Sequence, residues 1–146
     1  MRVVAYSIQE YEKELLAKAN AKVHDLTLIS NTLNPKTLHY SIGKEVVIIS
    51  EQDFLDKNLL EELSRIGVKK IITRSSSVDN IDLKTAGLLQ LHIANTPTHD
   101  ITPEGIAEQT IHSLNNWEEG RCLGQACQCA FDCSNKQEKT SSYGNQ

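Results

Sequence analysis

Seven glycines are scattered through this 146-residue chain, and none of them builds a Gly-x-Gly-x-x-Gly run. That absence excludes the fingerprint by which a strand-turn-helix unit cradles the pyrophosphate of a dinucleotide. Gly43-Lys44 is no substitute, because Glu45 follows it and the upstream glycine of a phosphate loop is missing. Long apolar runs are equally scarce. The longest near the start is Val3-Val4-Ala5-Tyr6, too short for a secretory core, and nothing approaches a membrane span, so the expected location is cytoplasmic. One-sided charge is lacking as well. Fifteen Lys and Arg stand against 19 Asp and Glu, a formal net charge of -4 spread along the chain. That balance predicts neither a nucleic-acid surface nor a basic membrane face. Cysteine, finally, is absent from the first 121 residues, and all four cysteines fall within one short segment.

What is present alternates. Arg2 to Tyr6, Asp25 to Ile29, Val46 to Ile49, Lys70 to Thr73 and Leu91 to Ala94 are short runs rich in Val, Ile and Leu, as expected of strands covered on both faces. Between them, Tyr11 to Ala19 sets Leu15, Leu16 and Ala19 on one helical face, and Phe54 to Ile66 does the same with Leu59, Leu60, Leu63 and Ile66. The second of these stops at Gly67, and Ile81 to Ala86 makes a short third helix ending near Gly87. Thr102-Pro103-Glu104 opens a fourth, with Thr as N-cap, Pro in the first turn and an acid suited to the helix dipole. Ala107, Ile111 and Leu114 give it an apolar stripe, and Trp117 is assigned to core packing. Strands joined by helical crossovers predict an α/β, flavodoxin-like doubly wound parallel sheet of about five strands, a single domain of about this length.

Such sheets bind ligands beyond the carboxyl ends of their strands. Arg74 to Ser77 follows one strand and Asn95 to His99 the next, so both loops are expected to open onto one crevice. Ser75, Ser76 and Ser77 offer hydroxyls and backbone amides to a carboxylate, with charge assistance from His99 or Arg74. The plainer alternative is a polar turn beside an exposed histidine. The remaining histidines, His24 and His92 among them, are expected to be structural.

The order of Arg74, then Asp79-Asn80-Ile81-Asp82, then Asn95-Thr96-Pro97, resembles the D-isomer-specific 2-hydroxyacid dehydrogenases, most closely their D-lactate dehydrogenase branch. The opening MRVVAYSIQEYEKELLAKAN, the strand at His24 to Ser30 and the pattern Ala107 to Thr110 extend the likeness over roughly the first 110 residues. Three departures stand out: Ser77 in place of a glycine, His99 in place of an aromatic Tyr, and Asp100-Ile101-Thr102-Pro103 in place of a shorter Ser-Pro helix start. The resemblance implies an NAD-dependent oxidoreductase acting on small 2-oxo or 2-hydroxy acids. It also implies that the catalytic Arg, Glu and His, and the cofactor site, come from a second domain. No catalytic or cofactor-binding residue is therefore assigned in this chain, which is expected to be inactive without a nucleotide-domain partner. A truncated product, a degenerate paralogue and one part of an assembled enzyme all fit, as does a homodimer that covers the crevice side.

The last part differs in kind. Residues 1–117 read as the substrate-binding domain, 118–133 as a Cys-rich segment and 134–146 as a polar, disordered tail. Cys122, Cys127, Cys129 and Cys133 are spaced C-x4-C-x-C-x3-C. Four thiolates so close suit a tetrahedral zinc or an iron-sulfur cluster, although zinc knuckles use paired C-x2-C units. Redox chemistry and uninvolved reduced thiols remain open beside metal binding. A non-enzymatic metal-binding module on a dehydrogenase-derived scaffold is thus the second functional expectation.

Overall fold

The computed structural model describes residues 1–131; Cys133 and the segment 134–146 lie outside them. Five parallel strands form one sheet: β1 (Arg2–Ala5), β2 (Asp25–Leu28), β3 (Val46–Ile49), β4 (Lys70–Thr73) and β5 (His92–Ala94), in the order β2-β1-β3-β4-β5. Four helices connect and cover them: α1 (Glu10–Asn20), α2 (Lys57–Arg65), α3 (Leu83–Leu88) and α4 (Pro103–Glu118). The doubly wound sheet expected from the alternation is the sheet observed.

Away from the half-exposed edge strand β2, both faces of the sheet are dry because adjacent strand residues point to opposite sides and both sets are apolar. Val4, Val47, Ile49, Ile71 and Ile93 meet Leu59, Leu60 and Leu63 of α2 and Ala86 of α3. Val3, Ala5, Val46, Ile48, Ile72 and Ala94 meet Leu16 of α1 and Ile111, Leu114 and Trp117 of α4. Trp117 is thus a core residue, as its position implied.

Helix boundaries lie inside the expected ones where a polar residue stops the chain. α2 begins at Lys57 and not at Phe54, because the Asp56 side chain accepts from Leu59 N at 2.9 Å, while Leu55 forms an isolated parallel bridge with Ile81. Phe54 is left exposed. Asp82 likewise caps α3, accepting from the Thr85 amide and hydroxyl at 3.1 and 2.7 Å. These bonds hold its carboxyl below the ordinary value of 3.8. α4 starts as expected, with Thr102 Oγ1 accepting from Gly105 N at 3.1 Å.

The cysteine-bearing segment does not stand apart from the domain. α4 runs to Glu118, and the chain then returns along the free edge of β5. Asn95 N donates to Ala126 O at 3.1 Å and Gln128 N to Ile93 O at 2.8 Å, around an antiparallel bridge between Ala94 and Cys127. The segment so covers an edge that would otherwise expose unpaired backbone groups. Gly87 of α3 lies against it, where an added Cβ would meet the Ala130 carbonyl oxygen at 2.5 Å. His24 is also structural: it is buried, and its Nε2 lies 2.7 Å from Asn115 Oδ1.

Candidate functional site

A cleft of about 420 Å3 opens at the carboxyl ends of the strands. Its walls take Ser7 from the end of β1, Ser50 from β3, Arg74 to Ser77 from β4, and Thr96 and Thr98 from β5. The expectation that the loops after β4 and β5 share one crevice therefore holds for Ser75, Ser76 and Ser77. It does not hold for His99, which is exposed and absent from the walls. The lengthened Asp100-Ile101-Thr102 entry to α4 brings Ile101 to the cleft instead.

Two side chains stitch the loops after β4 and β5 together. Thr96 N donates to Ser75 O at 2.9 Å and Thr96 Oγ1 to Thr73 O at 2.8 Å, while Asn95 Nδ2 donates to Ser76 O at 2.8 Å. In a trans peptide the carbonyl and the following N–H point in opposite directions. With the carbonyls of Ser75 and Ser76 turned towards β5, the amides of Ser76 and Ser77 face away from it. Neither amide has an acceptor among the described residues. Two adjacent amides left without a partner are donors that an anion would take.

The hydroxyls contribute less than three serines suggest. Ser75 Oγ donates to Ser77 O at 2.8 Å and so spends its proton on the loop, whereas Ser77 Oγ accepts from Asp79 N at 3.0 Å and keeps its own proton to donate. Ser77, where the family resemblance implies a glycine, does not sit at positive φ, so its Cβ costs no backbone strain.

Arg74 is not available to a ligand as a cation. Its Nε and Nη2 donate to the Glu12 carboxylate at 2.8 and 3.3 Å, and Nη1 and Nη2 donate to Tyr6 O and Ser7 O at 3.0 and 3.1 Å. The guanidinium, 7% exposed, ties β4 to the turn between β1 and α1. Charge assistance from Arg74 or His99, expected from sequence, is thus replaced by a neutralised ion pair in the wall and a histidine outside it.

Three residues that shape the cleft, Ser7, Ser50 and Asp53, carry no sequence signal. Ser7 sits at φ 58°, an uncommon conformation for a side-chain-bearing residue. Its hydroxyl donates to Asp53 Oδ1 at 2.8 Å. Asp53, 1% exposed, also accepts from Leu33 N at 2.8 Å and Ser50 N at 2.9 Å. Asn80 Nδ2 closes the arrangement, donating to Ser50 O at 3.0 Å and Asp53 O at 2.6 Å. The rule that ligands gather at strand carboxyl ends points to β1 and β3 as well as β4 and β5; the partners of Ser7 lie too far along the chain for spacing to reveal.

The cysteines are gathered only in part. Cys129 Sγ lies 3.6 Å from His92 Nδ1, and Cys122 Sγ accepts from Gly124 N at 3.4 Å. His92 also packs edge-on against Trp117 and Phe131. Among the described residues no group of three or more His, Cys, Asp or Glu is arranged to hold a metal, so the expected set of Cys122, Cys127, Cys129 and Cys133 is not assembled within them. Nor is any helix among them long and apolar enough to cross a membrane.

A dinucleotide does not fit the described residues. At the turn from β1 to α1, where pyrophosphate lies in nucleotide-binding units, Glu12 accepts from Gln9 N at 2.8 Å and places a carboxylate at the start of the helix. That carboxylate, already paired with Arg74, takes a donor at the helix start that a pyrophosphate would use.

Residues 3–142 match the family model for the D-isomer specific 2-hydroxyacid dehydrogenase catalytic domain. The chain is 34% identical over 112 residues to the D-lactate dehydrogenase of Escherichia coli, covering 76% of this chain and 33% of that one. It is 33% identical over 112 residues to the 2-hydroxyacid dehydrogenase homolog of Haemophilus influenzae, with the same coverage of 76% and 33%. Among solved structures, the apo-structure of the E. coli D-lactate dehydrogenase superposes with a TM-score of 0.66 at 33% identity, covering 68% of this chain and 32% of that one. The Salmonella D-lactate dehydrogenase gives 0.65 at 32% identity, covering 80% and 35%. The chain spans about a third of the length of these relatives. A family model matched over most of the sequence, joined to a shared fold, places this chain in the D-isomer-specific 2-hydroxyacid dehydrogenase family.

Proposed function

We propose that this chain is the substrate-holding half of an NAD-dependent D-2-hydroxyacid dehydrogenase, and that its cleft receives the carboxylate of a small 2-oxo or 2-hydroxy acid on the amides of Ser76 and Ser77. The observation that carries the reading is the outward pair of amides at the end of β4, held by Asn95 and Thr96. A carboxylate accepting two such bonds gains charge-assisted hydrogen bonds without ordering a flexible side chain. The Arg74–Glu12 pair lends the wall no net charge, so the grip is weak by itself. The cation that orients the acid, the proton donor and the NAD belong to a nucleotide-binding partner, which supplies the hydride when bound. Ser76 and Ser77 hold and orient the acid; the fold excludes water from one side of it.

The test is an amide-resolved NMR titration with pyruvate and with its unreactive analogue oxamate. Saturable shifts confined to Ser75–Ser77 and Thr96 are expected. Shifts elsewhere, or none while the protein stays folded, sink the assignment. Turnover that appears only on adding a separate nucleotide-binding domain with NADH checks the second part of the proposal.

A further inference from the structure

The segment that covers β5 carries a nucleophile set beside a base. Cys129 Sγ lies 3.6 Å from His92 Nδ1 and 3.9 Å from the carbonyl oxygen of Ile93. Cys129 is half-buried, with exposed Ala130 directly after it. His92 is held in place, its ring packed edge-on against Trp117 and Phe131 at centroid distances of 6.5 and 5.2 Å. An imidazole fixed at hydrogen-bond distance favours the thiolate, the form of cysteine that attacks another sulfur.

A short series of bonds joins this sulfur to the cleft. Gln128 N, next to Cys129, donates to Ile93 O at 2.8 Å, and Asn95 N donates to Ala126 O at 3.1 Å. Asn95 in turn holds Ser76 O through Nδ2 at 2.8 Å. Its Oδ1 accepts nothing, although the residue is only 8% exposed. The side chain is thus placed by its backbone, and that backbone is bonded to the returning segment.

We infer that Cys129 is a thiol–disulfide exchange site for a low-molecular-weight disulfide of a peptide thiol, and that its modification lifts the returning segment from β5 and loosens the loop at Ser76. The inference does not depend on what the cleft binds. The thiol proton passes to His92 Nδ1 as Cys129 Sγ attacks one sulfur of the small disulfide. The reagent's S–S bond breaks and a new S–S bond joins Cys129 to one half. The other half leaves as a thiolate and takes the proton back from His92. Cys129 is oxidised and the departing half reduced, so no further electron acceptor is needed. On the side of the segment that carries Sγ, Trp117 and Phe131 close over His92. A peptide-sized substituent is accommodated there by displacing the segment, which breaks the bonds of Gln128 N and Asn95 N.

The whole chain, fully reduced, is treated with glutathione disulfide and followed by intact mass, peptide mapping and backbone amide NMR. The expected result is a mixed disulfide at Cys129 ahead of Cys122, Cys127 and Cys133, faster hydrogen exchange at Gln128 and Asn95, and shifted amides at Ser76 and Ser77. Dithiothreitol restores the starting spectrum. His92→Gln slows the reaction several-fold, and Cys129→Ser removes the first addition. Should either variant fail to fold, mapping and exchange in the parent chain decide alone. Addition first at another cysteine, or none while the chain stays folded, overturns the site. Addition at Cys129 that leaves the amides of Gln128, Asn95 and Ser77 unchanged overturns the release. An undiminished rate in folded His92→Gln overturns the role of the base.

Discussion

Arg74 shows how a residue can be legible while its work is not. Its type and its place after a strand stand out in the sequence, yet the carboxylate it meets belongs to Glu12, 62 positions earlier. Nothing in local spacing predicts a pairing set by the order of strands. Because the pair is largely buried, Arg74→Ala leaves Glu12 uncompensated and two backbone carbonyls unbonded; a loss of about 3–5 kcal/mol is expected by urea denaturation. Arg74→Lys recovers little of it, since an ammonium cannot span a carboxylate and two carbonyls at once. Tyr6 supplies a gentler test. Its hydroxyl donates to Thr37 O at 2.9 Å and lies 2.7 Å from Ser41 Oγ, and burial pushes its pKa up. Tyr6→Phe leaves the Thr37 carbonyl with Tyr40 N alone and takes from the buried Ser41 hydroxyl its bond to Tyr6, for an expected cost of about 1–2 kcal/mol. The Ser75–Ser77 loop is readable because three serines directly follow a strand. Asp53 is not, because it looks like any acid in a polar loop until Ser7, Leu33 and Ser50 are brought around it.

Elements are most legible where their caps are local. Thr102 is recognisable as the start of α4 because the cap, the proline and the first acid are consecutive, and Thr102→Ala is expected to cost about 1 kcal/mol in the thermal or urea transition. The same change loosens the entry that carries Ile101. Asp82 makes a pH-dependent counterpart. Its carboxyl titrates lower in the folded chain than in the unfolded one, because the Thr85 hydroxyl and amide bond to the ionised form. Its stabilisation is thus complete above the ordinary value of 3.8 and fades as pH falls through the lowered value. Accordingly, Asp82→Ala lowers the urea midpoint at neutral pH, and the gap from the parent closes in acid; a gap of constant size contradicts the cap. Periodicity starts α2 too early because Phe54 and Leu55 fit an apolar helical face. Leu55 serves a bridge to Ile81 instead, a contact between distant segments that periodicity does not record.

At the level of the whole molecule, the sheet is legible and its edge is not. Parallel strands covered on both sides need uninterrupted apolar runs, and the five runs are conspicuous. The cysteine segment draws attention through its sulfur, whereas its backbone does the visible work among the described residues, pairing with β5. Gln128→Pro removes the donor to Ile93 O and is expected to bare that edge, detected as concentration-dependent association by analytical ultracentrifugation. Gly87→Ala should act in the same direction. An added methyl usually favours a helix, but here it meets the Ala130 carbonyl at 2.5 Å and drives the edge segment away.

The same return path settles where a tether would leave the protein. Met1 precedes β1, and Phe131, packed on His92, ends a segment that runs antiparallel to β5 and so finishes at that strand's beginning. Both ends of the described chain emerge at the pole opposite the cleft. Anchored to a sensor surface through Met1, the described residues present their cleft away from that surface.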